Sequence, residues 1–247
     1  GSAPLNEVVA RSHLDEKIAA QATQALMASG QLISLENEGT LNIIAPNGLV
    51  ISLGAWKSLA SRAVQEIANY HRQYPLRRGL LREELKSRLK LAPGAMGTRL
   101  FNATLRMLAS EGLIEEIGPL VHQPGHRINF TPPQKRQVES LLSRFAAAPY
   151  APPTVKDCQA EVGEDVFNAL LDLDELVSLS PEVVFRREDY EKMVSEVRRL
   201  LQNRGTITAA EARDHFNTSR RYILALLEHL DAIGVTQRDG DIRRLKK

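Results

Sequence analysis

At 247 residues, with 43% apolar and 25% charged side chains but only 5% aromatics, the chain has the make-up of a globular protein with a mostly aliphatic core. No apolar run nears the roughly 20 residues that a bilayer-crossing helix needs, and no charged-then-apolar leader opens the sequence, so a helical membrane protein is excluded and the cytoplasm is expected. The net charge is only +2, yet from Arg198 to Lys247 eleven Lys and Arg face six acids, and a local basic surface on a near-neutral chain is a footprint of nucleic-acid binding.

Gly1-Ser2 resembles the remnant of a cleaved tag, from which a larger parent protein is expected. In chain order, the first leucine-rich helix ends at Ala25-Leu26-Met27-Ala28-Ser29-Gly30, followed at once by Gln31-Leu32-Ile33. The same ending recurs at Met107–Ile114, Ala169–Val177 and Glu228–Val235, with Glu175 standing for the glycine in the third copy. Glycine suits a helix end because the next residue commonly turns left-handed. Each ending leads into a predicted hairpin, Leu32–Leu35 with Thr40–Ile44 in the first copy and Val235–Arg238 with Asp241–Leu245 in the last. The last hairpin turns on Asp239-Gly240, read as a type I′ loop. Long helices are predicted near Trp56–Tyr74, Pro133–Ala147 and Glu188–Asn203; Pro75 stops the first and Pro132-Pro133 opens the second. Thr208-Ala209-Ala210-Glu211 reads as a capping box.

Three helices followed by a hairpin make a winged helix of about 60 residues. The expected fold is therefore mainly α with small β-hairpins: four tandem winged helices at 1–54, 55–131, 132–187 and 188–247, the first truncated because it lacks its long helix.

The candidate nucleic-acid surface lies in the last of these. Asn217 or Thr218 caps the third helix, Ser219, Arg220 and Arg221 form its exposed start, and Tyr222, Ile223, Leu226, Leu227, Leu230 and Ile233 face inward. Backbone amides and the positive dipole end favour a phosphate there, and two guanidiniums reinforce the preference. In the wing, pairing Arg238 with Asp241 and Thr236 with Arg243 puts these side chains on one outward face, opposite Val235 and Ile242; Arg244 completes the basic set. Arg77, Arg78, Arg82, Lys86, Arg88, Lys90 and Arg99 are interleaved with Glu83 and Glu84 and read as a solvated face.

No chemistry site emerges. Six scattered histidines and the lone Cys158 give no metal-ligand pattern, and His122 and His126 flank a wing loop, Gln123-Pro124-Gly125. Glu83-Glu84 and Glu115-Glu116 are neighbours whose side chains diverge, and no phosphate-binding glycine loop occurs, so neither catalysis nor a metal or cofactor is expected. A tandem winged-helix DNA regulator and a protein-interaction scaffold stay open as alternatives.

Two stretches carry a resemblance: Tyr74-Pro75-Leu76-Arg77-Arg78-Gly79-Leu80-Leu81-Arg82-Glu83-Glu84-Leu85, and Phe216-Asn217-Thr218-Ser219-Arg220-Arg221-Tyr222 leading into Leu226-Leu227-Glu228-His229-Leu230-Asp231. With four winged helices in this order, the chain resembles the carboxyl-terminal region of the selenocysteine-specific translation elongation factors, SelB. The resemblance implies a missing GTPase domain that binds GTP, a last winged helix that grips an mRNA hairpin through Arg220, Arg221, Arg238 and Arg243, and ribosome and selenocysteinyl-tRNA contacts made by the full-length protein, with this tail a monomer.

Overall fold

The computed structural model describes residues 2–36 and 45–246. Two compact units, Gly1–Arg127 and Ile128–Lys247, divide the chain, and each holds two helix–helix–hairpin modules.

In the first unit, β1 (Ser2–Pro4), α1 (Leu5–Ser12), α2 (Glu16–Ala28), β2 (Leu32–Ser34) and β3 (Leu49–Ser52) form module 1, with strand order β1-β3-β2. Leu32 pairs with Ser52 and Ser34 with Val50. The first wing strand thus pairs with 49–52; its expected partner, Thr40–Ile44, lies outside the described residues.

β3 passes without a linker into α3 (Leu53–Gln73), the long helix of module 2, which continues with β4 (Leu80–Leu81), α4 (Arg82–Leu89), α5 (Ala95–Ser110), β5 (Glu115–Ile117) and β6 (Leu120–His122). Trp56, Leu59, Ala63 and Ile67 recur at helical spacing along α3 and are all buried. They join Leu49 and Ile51 of module 1 to Leu85, Phe101, Leu105 and Val121 of module 2 in one core.

The second unit repeats the plan. Module 3 comprises α6 (Pro132–Ala147), α7 (Val155–Val162), α8 (Glu164–Asp172), β7 (Leu176–Ser178) and β8 (Val184–Arg186). Again the last strand runs straight into the next long helix, α9 (Arg187–Arg204), followed by β9 (Ile207–Thr208), α10 (Ala209–Phe216), α11 (Arg220–Ala232), β10 (Thr236–Asp239) and β11 (Ile242–Leu245). The strands of module 4 lie in order β10-β11-β9, which puts β11 in the centre. Val183 and Phe185 of module 3 share a core with Tyr190, Met193, Val197, Leu226 and Leu230 of module 4.

The four recurring helix ends have one geometry. Gly30, Gly112 and Gly234 take φ of 68°, 67° and 73°, and in module 3 the residue at that place is Asp174 at 61°, so Asp174 and not Glu175 replaces the glycine. In every copy the residue after the left-handed one donates back to the helix: Gln31 to Leu26, Leu113 to Leu108, Glu175 to Leu170 and Val235 to Leu230, all at 2.9–3.0 Å. These bonds satisfy carbonyls that the helix leaves open. Asp serves because a short polar residue tolerates the left-handed region better than most. The reversal at Gly234 turns the chain inward at Val235 and leaves Ile233, expected to be buried, 52% exposed.

Candidate nucleic-acid interface

The interface is built on the turn between α10 and α11. α10 opens with the expected capping box: the Thr208 hydroxyl accepts from the Glu211 amide at 3.2 Å, and the Glu211 carboxylate accepts from the Thr208 amide at 2.7 Å. It closes at Asn217, which takes the left-handed conformation with φ 46°. Asn217 thus ends α10 and does not cap α11. That role falls to Ser219, which has extended backbone and a hydroxyl that takes none of the first-turn amides. No side-chain cap therefore occupies the orphan amides of the turn. Thr218, expected on the surface, donates its hydroxyl proton to the Tyr150 carbonyl of module 3 and is half-buried.

Arg220 and Arg221 are both exposed in the first turn of α11. Among the described residues Arg220 has no ion-pair partner, whereas Arg221 donates from Nη2 to the Tyr222 hydroxyl at 2.8 Å.

The wing departs from expectation. Arg238 lies opposite Arg243, Thr236 opposite Leu245 and Asp239 opposite Ile242, so the loop is Gly240-Asp241. Of the three residues Asp239, Gly240 and Asp241, only Gly240 has positive φ, at 62°, which suits a loop whose first central residue is glycine and not one that starts at Asp239. The sharing of faces holds, because Thr236, Arg238 and Arg243 still lie together, but that face turns inward. Arg243 is 2% exposed; its Nε donates to Asp231 Oδ2 at 3.0 Å, while the Thr236 hydroxyl donates to Asp231 Oδ1 at 2.6 Å. Asp231 at the end of α11 is what draws both side chains in, since a buried guanidinium needs an acceptor. Arg243 is thus an internal latch between helix and wing, not part of an outward surface.

Its cross-strand neighbour Arg238, next to the loop at the end of the ribbon, stays exposed. Arg238 bonds the Gly240 carbonyl of its own loop at 2.9 Å, and it shares the α11-facing side of the ribbon. Arg244 falls on the opposite side with Gln237 and meets Asp239 at 3.3 Å, an exposed pair worth at most about 1 kcal/mol.

Comparison of the four equivalent helix starts separates module 4 from the rest. α2 begins with Glu16, and its cap Asp15 already accepts the Lys17 amide at 3.0 Å. α8 begins with Glu164 and Asp165. α5 has neither sign in its first turn, and the nearby Arg99 is clamped by Glu36 at 2.6 and 2.7 Å and by the Asn47 carbonyl at 2.6 Å. That grip holds the Glu36 carboxyl below its usual range. Only α11 presents guanidiniums and no acid in its first turn.

Other basic residues of module 2 meet acids. Arg88 pairs with Glu84 at 2.6 Å and Arg82 with Glu116 at 3.0 Å. Among the described residues no group of three metal-ligating side chains has the geometry to hold an ion. His71, 6% exposed, has no partner on either ring nitrogen and lies with its ring centroid 3.6 Å from that of His126; burial first, then His126 and His122, push it down to about 4.

Sequence reasoning placed Tyr222 in the core and missed its second role. The hydroxyl also donates to the Pro152 carbonyl of module 3 at 2.8 Å, and Tyr150 packs edge-on against Phe216. The run Pro149-Tyr150-Ala151-Pro152-Pro153 was the available signal.

Two segments match two family models, each described as elongation factor SelB, winged helix: residues 64–122 and residues 198–245. The selenocysteine-specific elongation factor of Desulfomicrobium baculatum is 26% identical over 195 residues, 76% of this chain and 30% of that protein. Its counterpart in Escherichia coli K12 is 24% identical over 191 residues, 75% of this chain and 30% of that protein. The chain thus spans about 30% of the length of these relatives. Among solved structures, the mRNA-binding domain of Escherichia coli SelB in complex with SECIS RNA matches at 22% identity with a TM-score of 0.40, over 48% of this chain and all of that one. A bacterial selenocysteine-specific elongation factor matches at 17% identity and a TM-score of 0.45, over 81% of this chain and 31% of that one.

Proposed function

We propose that this chain, a carboxyl-terminal winged-helix region of the SelB family, binds an mRNA hairpin of the selenocysteine-insertion type through its last module and so tethers the parent factor to its message. The observation that carries the reading is the start of α11, the one helix start of the four that is basic, uncapped by its own side chains and without an acid in its first turn.

RNA dictates how such a tip can work. The A-form major groove is too deep and narrow for a helix to enter, so recognition goes to loops and bulges. The first-turn amides, which no side chain caps, clamp loop phosphates with Arg220 and Arg221. Arg238 approaches from the α11-facing side of the wing, and unpaired bases splayed from the loop supply sequence selectivity. Asn217 and Ser219 border the clamp as exposed polar neighbours. Modules 1 to 3 serve as a spacer, and GTP, the ribosome and selenocysteinyl-tRNA belong to the rest of the parent protein.

Titration of the full chain into a fluorescently labelled selenocysteine-insertion hairpin, against a DNA duplex of equal length at equal salt, tests the reading. A preference for the hairpin of roughly a hundredfold or more is expected, the margin by which specific sites commonly exceed non-specific ones. Equal or tighter binding to the duplex makes the chain a DNA-binding protein, and binding to neither leaves the interaction scaffold.

A further inference from the structure

We infer that Tyr222 is a positioning residue for RNA binding: held by the proline turn of module 3, its hydroxyl presets the Arg221 guanidinium for a phosphate. The inference rests on the hairpin-binding reading above and names a part of that site which the basic residues alone do not reveal.

Three groups stand in series. Arg221 Nη2 lies 2.8 Å from the Tyr222 hydroxyl, and that hydroxyl lies 2.8 Å from the Pro152 carbonyl. The direction of both bonds is forced. A carbonyl can only accept and a guanidinium can only donate, so the single phenolic proton points to Pro152 and the oxygen lone pairs face Arg221. The arginine Cζ also sits 4.8 Å from the Tyr222 ring centroid, which adds a cation–π attraction.

The anchor is stiff. Tyr222 is 8% exposed and meets Phe185 edge-on, with ring centroids 6.0 Å apart. Pro152 and Pro153 have φ fixed by their rings, and the same segment is tied to the turn before α11 by the Thr218–Tyr150 hydrogen bond. The Asp157 carboxylate, which feels the field of Arg221, is held below the usual range first by its bonds to Thr154, with Arg144 and Arg221 adding to the effect. It accepts from the Thr154 amide at 3.1 Å and from the hydroxyl at 2.6 Å and so completes the capping box whose N-cap is Thr154.

An exposed arginine samples many rotamers and forfeits them when it grips a phosphate; one already held by an uncharged acceptor forfeits less and keeps its full charge for the ligand. Arg220, two residues before Tyr222 and with no such acceptor among the described residues, lacks this arrangement.

Tyr222→Phe removes the oxygen and leaves the ring. In the full chain, at a temperature where both proteins are folded by circular dichroism, it is expected to weaken binding of the labelled selenocysteine-insertion hairpin about fivefold, the effect of one hydrogen bond. In an Arg221→Ala background the same change has less than a twofold effect, because nothing remains to position. In the RNA-free protein, the Arg221 side-chain Nε–H signal gains fast motion in Tyr222→Phe while that of Arg220 does not change. A lower melting temperature with unchanged affinity, an equal loss in the two backgrounds, or an Arg221 signal indifferent to the substitution each overturns the inference while leaving hairpin binding intact. Absence of hairpin binding by the unsubstituted chain overturns the underlying reading instead.

Discussion

Removing the carboxylate of Asp231 tests the reassignment of the wing most directly. Arg243 is 2% exposed, its Nη2 has no hydrogen-bond partner, and its Nε relies on Asp231, itself only about one-fifth exposed. Asp231→Ala leaves that guanidinium in the interior without a counter-charge, for which about 3–5 kcal/mol is the usual cost, and it also strands the Thr236 hydroxyl. Taking about 3 kcal/mol as the working figure, the melting temperature of the carboxyl-terminal unit falls by roughly 10 °C. Arg243→Met leaves an apolar stem of similar length and a carboxylate that still accepts from Thr236, so it costs about 1 kcal/mol or less. The double substitution Asp231→Ala/Arg243→Met recovers most of the loss, because no buried charge remains. Urea unfolding of the three variants followed by circular dichroism gives the comparison. If Arg243→Met is as damaging as Asp231→Ala, or if the double substitution is additive, Arg243 is not held as an internal latch.

Arg220→Ala lowers the slope of log affinity against log salt for the hairpin by about 0.7–0.9, one phosphate fewer being neutralised, as a salt series of binding isotherms would show. His71 titrates at about 4 in the folded chain against about 6.5 when unfolded, so the unfolded state takes up the proton first on acidification. Its contribution is complete above pH 6.5 and is lost as pH falls toward 4, amounting to about 3 kcal/mol; the difference in unfolding free energy between the chain and His71→Leu, measured from pH 7.5 to 4.5, should follow that curve. Gly97→Ala drives a Cβ to 1.7 Å from the Ala92 carbonyl oxygen, a backbone atom that cannot turn aside, and should cost more than about 2 kcal/mol in thermal unfolding of the amino-terminal unit.

Much of this architecture is written locally. The helix ends at Gly30, Gly112 and Gly234, the capping box at Thr208 and the double proline opening α6 each act within a few residues, and each is where the pattern places it. Asp174 is the exception that local logic could have caught, since the shared register of the four endings aligns it with glycine. The wing arginines are different. Whether Arg243 faces water or the interior depends on Asp231, twelve residues earlier on another element, and a ribbon carrying Val235 and Ile242 on one side and Thr236 on the other gives no reason to turn the polar side inward. The Thr218–Tyr150 and Tyr222–Pro152 bonds bridge 68 and 70 residues and end on backbone carbonyls, which leave no mark on residue type.

Because β8 becomes α9 with no residue between them, the boundary at 186–187 is a poor place to divide the molecule. Scissors applied there would leave Val183 and Phe185 on one fragment and Tyr190, Met193 and Val197 on the other, each an adhesive surface bare of its mate. The smallest piece that can be excised with its interior whole starts near residue 128, and a shorter fragment would report on its own stickiness more than on its grip for RNA.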